Sequence, residues 1–347
     1  MTENDWGEMV ARFCADPADA TDGVRFAKLA ADASNRTYWR ATLPCGGTVV
    51  LMQLADDPLK SEEVVDGERP RDLPFLEVAR YLAAGGVPVP AVLYPALASR
   101  VVVLEDLGDV TVERALAAGA DKRALYLRAV RLLAAMQGYT GRHPDPDCIA
   151  FRRRFGDGLL RWELEHFYEW GLVEGTGHTP TPAEREVLVA FFDDVVKRLT
   201  ALPYGFVHRD YQSRNLMVQG DRLRLIDFQD ALLGPYLYDL VALLRDSYVA
   251  FDAADVAALG AAYVEGRREE GLWAPSLDEL LGHFHLQALQ RKLKDSGRFV
   301  YIDRVKKNPK FLPNIPRSLG YAREAMDRFP EYAGAREILA KYLPEHF

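Results

Sequence analysis

At 347 residues, 49% hydrophobic and 27% charged, the chain has the composition of a folded globular protein large enough for one two-lobed domain or two ordinary ones. A net charge of −8 excludes a nucleic-acid partner gripped through phosphate neutralisation, and three cysteines without a CxxC spacing exclude a disulfide framework or zinc finger. The acidic start Met1-Thr2-Glu3-Asn4-Asp5 is no signal peptide, and the apolar stretch from Val87 to Leu104, broken by Pro88, Pro90, Pro95 and Arg100, is no membrane span. The expectation is a soluble, cytoplasmic, monomeric protein with neither a nucleic-acid nor a membrane partner.

In chain order, Thr37 to Leu43 and Thr48 to Gln53 are β-rich runs joined by Pro44-Cys45-Gly46-Gly47, a predicted hairpin. A helix from Leu73 to Ala84 follows, stopped by Gly85-Gly86. Val101 to Leu104 has the length and apolarity of a buried strand. Leu125, Ala129, Leu132, Leu133 and Met136 fall on one helical face. Thr181-Pro182-Ala183-Glu184 combines a capping box with Pro at the first helical position and opens a helix to Leu199. Two short β-like runs, Leu216 to Val218 and Leu223 to Ile226, precede a helical remainder beyond Tyr238. These elements predict an α+β chain, with a β-rich N-terminal lobe over 1–107 and a larger, mostly helical lobe over 108–347.

The chemistry concentrates in Val207-His208-Arg209-Asp210-Tyr211-Gln212-Ser213-Arg214-Asn215, followed twelve residues later by Asp227 in Leu225-Ile226-Asp227-Phe228-Gln229. Phosphoryl transfer needs a carboxylate to take the proton of the attacking hydroxyl and oxygen ligands for the cation that bridges the phosphates. Asp210 suits the first task; Asn215 and Asp227 offer the oxygen donors that Mg²⁺ prefers.

His-Arg-Asp-x-x-x-x-Asn followed by Asp-Phe-x resembles the catalytic-loop and metal-loop signature of the kinase-like superfamily. Gln229 stands where protein kinases have Gly, no Ala-Pro-Glu follows, and the chain runs on through Gly234-Pro235 to Tyr238-Asp239-Leu240. In this it looks like the aminoglycoside phosphotransferase family of small-molecule kinases. Within that family the matches of Asp32-Ala33-Ser34, Leu104-Glu105-Asp106-Leu107-Gly108, Ile226-Asp227-Phe228-Gln229-Asp230-Ala231 and Leu244-Arg245-Asp246-Ser247-Tyr248 are similar to bacterial anomeric kinases of N-acetylmuramate and N-acetylglucosamine, enzymes of cell-wall sugar recycling.

The resemblance implies a two-lobed protein-kinase-like fold, ATP as co-substrate, Mg²⁺ as cofactor and a small sugar as acceptor. It implies Asp210 as catalytic base, Asn215 and Asp227 as metal ligands, and His208 and Asp239 as supports of the loop. Ser34, Asn35 and Arg36 would form a turn over the phosphates, with the backbone of Glu105 and Leu107 against adenine. Two departures stand out. No GxGxxG is present, and Val50-Leu51-Met52-Gln53 lacks the lysine that contacts phosphates, leaving Lys28, Arg36, Arg40 and Lys60 as the nearby cations and Glu77 without its usual partner.

For the acceptor, the acidic and aromatic segment from Arg161 to Trp170 offers Glu165 and Trp170. Arg214 lies beside Asp210, and the basic run after Gln290 offers Arg291 and Lys294 to a substrate carboxylate. His283 and His285, in an apolar helix with no third ligand nearby, read as core or groove residues. Two rival readings stay open: a kinase of aminoglycosides or another small alcohol, and a nucleotide-binding pseudokinase, favoured by the missing lysine and opposed by the intact Asp210, Asn215 and Asp227.

Overall fold

A computed structural model describes residues 3–13, 23–29, 36–55 and 72–347. Strands β1 (Arg25–Lys28), β2 (Thr37–Thr42), β3 (Thr48–Gln53), β4 (Val92–Ala96) and β5 (Val101–Glu105) form an antiparallel sheet in the order β1-β2-β3-β5-β4. Alternation along β3 and β5 assigns the two faces. Val49, Leu51, Val101 and Val103 meet helix α1 (Glu3–Ala11) through Trp6, Met9 and Val10. Val50, Met52, Val102 and Leu104 meet helix α2 (Pro74–Ala84) and the body of the larger lobe. Both faces are therefore covered, which is why the strands read as continuous apolar runs.

The β2–β3 hairpin forms as its turn residues dictate: Thr42 faces Thr48, and Gly46 takes a φ of 87° that a side chain would resist. At the end of α2, a Cβ on Gly85 would come within 2.2 Å of the Tyr139 ring. Glycine there lets the helix end pack against the larger lobe.

That lobe comprises α3 (Val112–Ala117), α4 (Lys122–Arg142), α5 (Ile149–Arg152), α6 (Asp157–His166), α7 (Pro182–Thr200), α8 (Tyr238–Leu244), α9 (Ala253–Glu269), α10 (Leu277–Lys306), α11 (Ile315–Met326) and α12 (Ala333–Tyr342). Among them run two antiparallel two-stranded ladders, β6 (Tyr204–Val207) with β9 (Leu232–Pro235) and β7 (Leu216–Gln219) with β8 (Arg222–Leu225). The capping box of Thr181 and Glu184 opens α7 as the sequence implies. The acidic and aromatic segment forms α6 and then continues as a π-helical turn, Phe167–Glu174, rather than as one α-helix. Packing is close here: a Cβ on Gly297 of α10 would lie 2.7 Å from the Phe167 Cα, so α10 crosses almost backbone to backbone.

Helix α10 is 30 residues long, buried along most of its length, and packs on α6, α9 and α11. The C-terminal α11 and α12 complete a second core with α7, in which Leu319, Ala322, Met326 and Leu339 join Leu188 and Phe192. Strands β4, β6 and β9 and helix α1 were not anticipated. They are short, two of the strands end on or contain proline (Pro235, Pro95), and such segments carry little periodicity.

Candidate active site

The loop between β6 and β7 is bonded from behind by three helices. Asp239, fully buried at the start of α8, accepts the backbone N–H of His208 at 2.7 Å and of Arg209 at 2.9 Å. Arg209 has a φ of 82°, unusual for a non-glycine residue and worth about 1–3 kcal/mol of strain, so the two bonds to Asp239 hold a backbone that would otherwise relax. The Arg209 side chain is buried over the Phe155 ring, with Nη2 3.6 Å from Glu163 on α6. Gln290 of α10 donates to the other Glu163 oxygen at 2.7 Å. Arg291 of α10 donates from Nη1 to the Arg209 carbonyl at 3.0 Å and reaches from Nη2 to 3.4 Å from Asp210 Oδ1. Farther along the loop, the backbone N–H and hydroxyl of Ser213 both donate to Asp246, which is fully buried just beyond α8. Amid these buried groups the Asp210 side chain keeps 34% of its surface exposed.

His208 is almost fully buried, and burial depresses its imidazole to about 4, against the backbone contacts that favour the charged form. It is neutral at physiological pH. Its Nε2 lies 3.1 Å from the Ile226 carbonyl, which requires that nitrogen to carry the proton and ties the catalytic loop to the end of β8. Burial likewise pushes the Asp239 carboxyl up, against the two N–H bonds and the Arg291 charge.

Directly after β8, Asp227 also has a left-handed backbone, φ 67°. Asn215 and Asp227 sit on adjoining segments, because the Ile226 N–H donates to the Asn215 carbonyl at 3.1 Å. Asn215 Nδ2 donates to the Asp210 carbonyl at 2.9 Å, which leaves Oδ1 as the atom it can offer a cation. Gln229 donates from Nε2 to Asp227 Oδ1 at 2.8 Å, and its own Oε1 is buried with no hydrogen-bond partner among the described residues. Amide and carboxylate oxygens such as those of Asn215 and Asp227 fit Mg²⁺, which is normally held by one or two protein groups together with substrate phosphates. Among the described residues, no three His, Cys, Asp or Glu side chains gather as a metal centre. Phe228 is buried and stacks on Phe75 of α2 with centroids 5.0 Å apart, joining the metal loop to the smaller lobe.

In the smaller lobe, Ser34, Asn35 and Lys60 lie outside the described residues. Arg40 forks onto Asp106 at 2.6 and 2.9 Å and onto Asp109 at 2.8 Å, so it serves the junction between the lobes. Lys28 lies 5.9 Å from the Trp39 ring centroid. Arg36 bonds the hydroxyl of Tyr38, which burial pushes up, with Arg36 opposing and the charge of Asp227 reinforcing. Arg36 and Asp227 thus both act on the Tyr38 hydroxyl.

Glu77 has a definite partner set and is no solvated face. Buried on α2, it accepts from the Ile149 N–H at 2.8 Å, from the Asp72 N–H at 3.2 Å and from Arg152 at 3.3 Å. It ties α2 to the start of α5 instead of pairing with a cation on β3. At the junction, the Glu105 N–H is taken by the Ala91 carbonyl, and its carboxylate pairs with Arg224 at 2.7 Å. Burial would raise that carboxyl, but Arg224 and the Ala91 N–H outweigh it and hold it below the usual range.

The residues expected to bind the acceptor do not gather into one set. Arg214 is bidentate to Glu113 at 2.9 and 3.1 Å and lies 3.4 Å over the Tyr248 ring. Glu165 points to α7, pairing with Arg161 and Arg185. Trp170, in the π-helical turn, meets Tyr301 edge-on. The basic run on α10 is neither a solvated face nor an open anion receptor. Arg291 is 1% exposed and faces the catalytic loop, while Lys292 and Lys294 lie 2.7 and 3.5 Å from Asp295. Despite its burial, the Asp295 carboxyl is held well below the usual range by Lys292, Arg291 and Lys294. The run misleads because α10 passes through the middle of the lobe, where charges are internal and paired. His283 meets the Tyr236 hydroxyl at 3.1 Å, and His285 is buried. Sequence reasoning passed over Glu163, whose signal is its place on the apolar stripe of Leu159, Leu160, Leu164 and Phe167. A carboxylate on such a stripe is buried and needs a partner.

A family model described as "Phosphotransferase enzyme family" matches residues 25–273. An N-acetylmuramate/N-acetylglucosamine kinase of Neisseria meningitidis serogroup B is 33% identical over 318 residues, 90% of this chain and 89% of that protein. A protein of the same name from Pseudomonas aeruginosa is 33% identical over 82% of this chain and 83% of its own. Among solved structures, a choline/ethanolamine kinase family protein from Mesorhizobium loti superposes with a TM-score of 0.60 at 18% identity, covering 98% of this chain and all of that one, which shows the shared kinase-like fold. With the family model spanning well over half its length, the chain belongs to the phosphotransferase enzyme family and is a small-molecule kinase acting on a hydroxyl.

Proposed function

We propose that this protein transfers the γ-phosphoryl group of ATP to the anomeric hydroxyl of an N-acetylated amino sugar, N-acetylmuramate or N-acetylglucosamine, in the cytoplasm during recycling of cell-wall sugars. The observation that carries the reading is the 33% identity to kinases of that name over nine-tenths of the chain, in a protein that retains Asp210, Asn215 and Asp227 together. Asp210, exposed among buried neighbours, takes the proton of the acceptor hydroxyl. The hydroxyl oxygen bonds to the γ-phosphorus as the bond to the β–γ bridging oxygen breaks and ADP leaves. Asn215 and Asp227 would hold Mg²⁺, which when bound would neutralise the charge of the phosphate oxygens.

Arg36 supplies the positive charge that β3 lacks. Because the Glu105 N–H is engaged, the adenine edge would meet the Glu105 carbonyl and the Leu107 N–H. An aminoglycoside acceptor is disfavoured by the pairing of Glu165 with Arg161 and Arg185, which cancels the negative charge a polyamine would seek.

The test is a panel of N-acetylmuramate, N-acetylglucosamine, glucosamine, choline and kanamycin with Mg-ATP, and NMR of any product. A phosphate coupled to the anomeric carbon of either N-acetylated sugar supports the reading. Turnover of kanamycin or choline alone, or a C6 phosphate, sinks it.

A further inference from the structure

Arg291 presents no open face to a substrate anion, yet it is placed where few arginines are found. It is 1% exposed, in the middle of a 30-residue helix, and its two terminal nitrogens address the Arg209 carbonyl at 3.0 Å and Asp210 Oδ1 at 3.4 Å. Resting on the kinase reading above, we propose that Arg291 is a positioning residue for Asp210, holding its carboxylate in the orientation from which it meets the acceptor hydroxyl.

Three observations support this role. First, the backbone leading into Asp210 is pinned on both sides: Asp239 accepts the N–H groups of His208 and Arg209, and Arg291 donates to the Arg209 carbonyl. A residue at φ 82° has no intrinsic preference for that orientation, so the two helices impose it. Second, Arg291 is itself fixed. Its guanidinium lies 4.8 Å from the Tyr238 ring centroid, with Asp295 one turn along α10 at 3.9 Å, so its charge is balanced and its rotamer confined. Third, the contact to Asp210 reaches one carboxylate oxygen from the buried side while the side chain stays 34% exposed. The arginine thus orients the group without covering it. An arginine fork can address a carbonyl and a carboxylate at once, which the single point charge of lysine does less well.

A double-mutant cycle between positions 291 and 210 tests the proposal, using Mg-ATP and the acceptor that the wild-type chain turns over best. Arg291→Met is expected to lower kcat about 10- to 100-fold, because misplacing a catalytic group costs rate and not affinity. KM for both substrates and the affinity for Mg-ATP should stay within about threefold, and Arg291→Lys should recover part of the loss. In an Asp210→Asn background, Arg291→Met should cost less than about threefold more, because the group it positions no longer functions.

An equal loss in both backgrounds, or a fall in Mg-ATP affinity matching the fall in kcat, would make Arg291 merely structural. A raised KM confined to an acidic sugar, with kcat unchanged, would return it to the role of substrate ligand. If Arg291→Met does not fold, Arg291→Lys carries the same cycle, and additivity with Asp210→Asn overturns the proposal. A wild-type chain that phosphorylates nothing sinks the kinase reading and this inference together, whereas full wild-type activity in Arg291→Met sinks this inference alone.

Discussion

The catalytic loop of the larger lobe and the charged groups of the smaller lobe are held in opposite ways. His208, Arg209 and Asp210 receive bonds from α6, α8 and α10, all within their own lobe, and only Asp210 is left open to solvent. In the smaller lobe the charged side chains reach outward across the junction: Glu77 to Ile149 and Arg152, Arg40 to Asp106 and Asp109, and Glu105 to Arg224. The side that carries the candidate base Asp210 is therefore preassembled within one lobe, whereas Glu77, Arg40 and Glu105 of the smaller lobe serve the junction between the lobes.

The largest effect should come from the preassembled side. Asp210→Asn is expected to lower kcat about 10²–10⁴-fold, the usual worth of a positioned base, while Mg-ATP affinity by calorimetry and the melting temperature hold. Near-wild-type turnover would remove Asp210 from its role and erase the contrast between the lobes.

Arg36→Ala probes the other side. A single charge-assisted contact to phosphate oxygens contributes roughly 1.5–3 kcal/mol, so KM for Mg-ATP should rise about 10- to 100-fold with KM for the acceptor little changed. If Arg36→Ala binds Mg-ATP normally, the metal loop alone carries the phosphate charge and the smaller lobe contributes shape only.

The contiguous parts of this machinery were legible in the sequence, and the distributed parts were not. Asp210, Asn215 and Asp227 lie on two neighbouring segments with fixed spacing, so local residue types suffice to single them out as candidates, and the structure sets those segments side by side. The hairpin, α2 with its glycine stop and the capped α7 were legible for the same reason: turn, cap and period are local signals. Glu163, Gln290 and Arg291 approach the loop from helices far away in the chain. Their partners are decided by the crossing of α6 and α10 at Gly297 and not by their neighbours in sequence. A charge run such as Arg291 to Lys294 therefore looks solvated until the helix bearing it is known to pass through the core.

Glu77 tests whether the junction has replaced the usual ion pair of the smaller lobe. Glu77→Gln keeps one oxygen for the Ile149 N–H but removes the charge facing Arg152 and puts an amide donor where acceptors are needed. The expected cost is about 1–3 kcal/mol in denaturant unfolding, with Mg-ATP affinity within about threefold of wild type. A tenfold loss of nucleotide affinity without a loss of stability would show that the carboxylate serves the phosphates after all.

The effect that vanishes at neutral pH concerns acid. Burial depresses both His208 and His285, in the larger lobe, to about 4, with the Arg328 and Arg245 charges adding to the effect at His285. An unfolded histidine titrates near 6.5, so above that pH neither state carries the proton and the burial of a neutral ring has no cost. Between about 6.5 and 4 the unfolded chain gains a proton that the folded chain refuses. Stability then falls as pH falls, by up to about 1.4 kcal/mol per pH unit for each such group, and the trend stops below the folded value. Asp239, raised by burial, pulls in the opposite direction over the same interval. It is common to wild type and His285→Gln and cancels in their difference. His285 lies outside the catalytic loop, so His285→Gln should leave turnover at neutral pH intact. Its unfolding free energy, followed from pH 7 to pH 4, should decline less steeply than that of wild type, by about one proton's worth of slope. Parallel curves would mean that His285 takes up its proton in the folded state as readily as in the unfolded one.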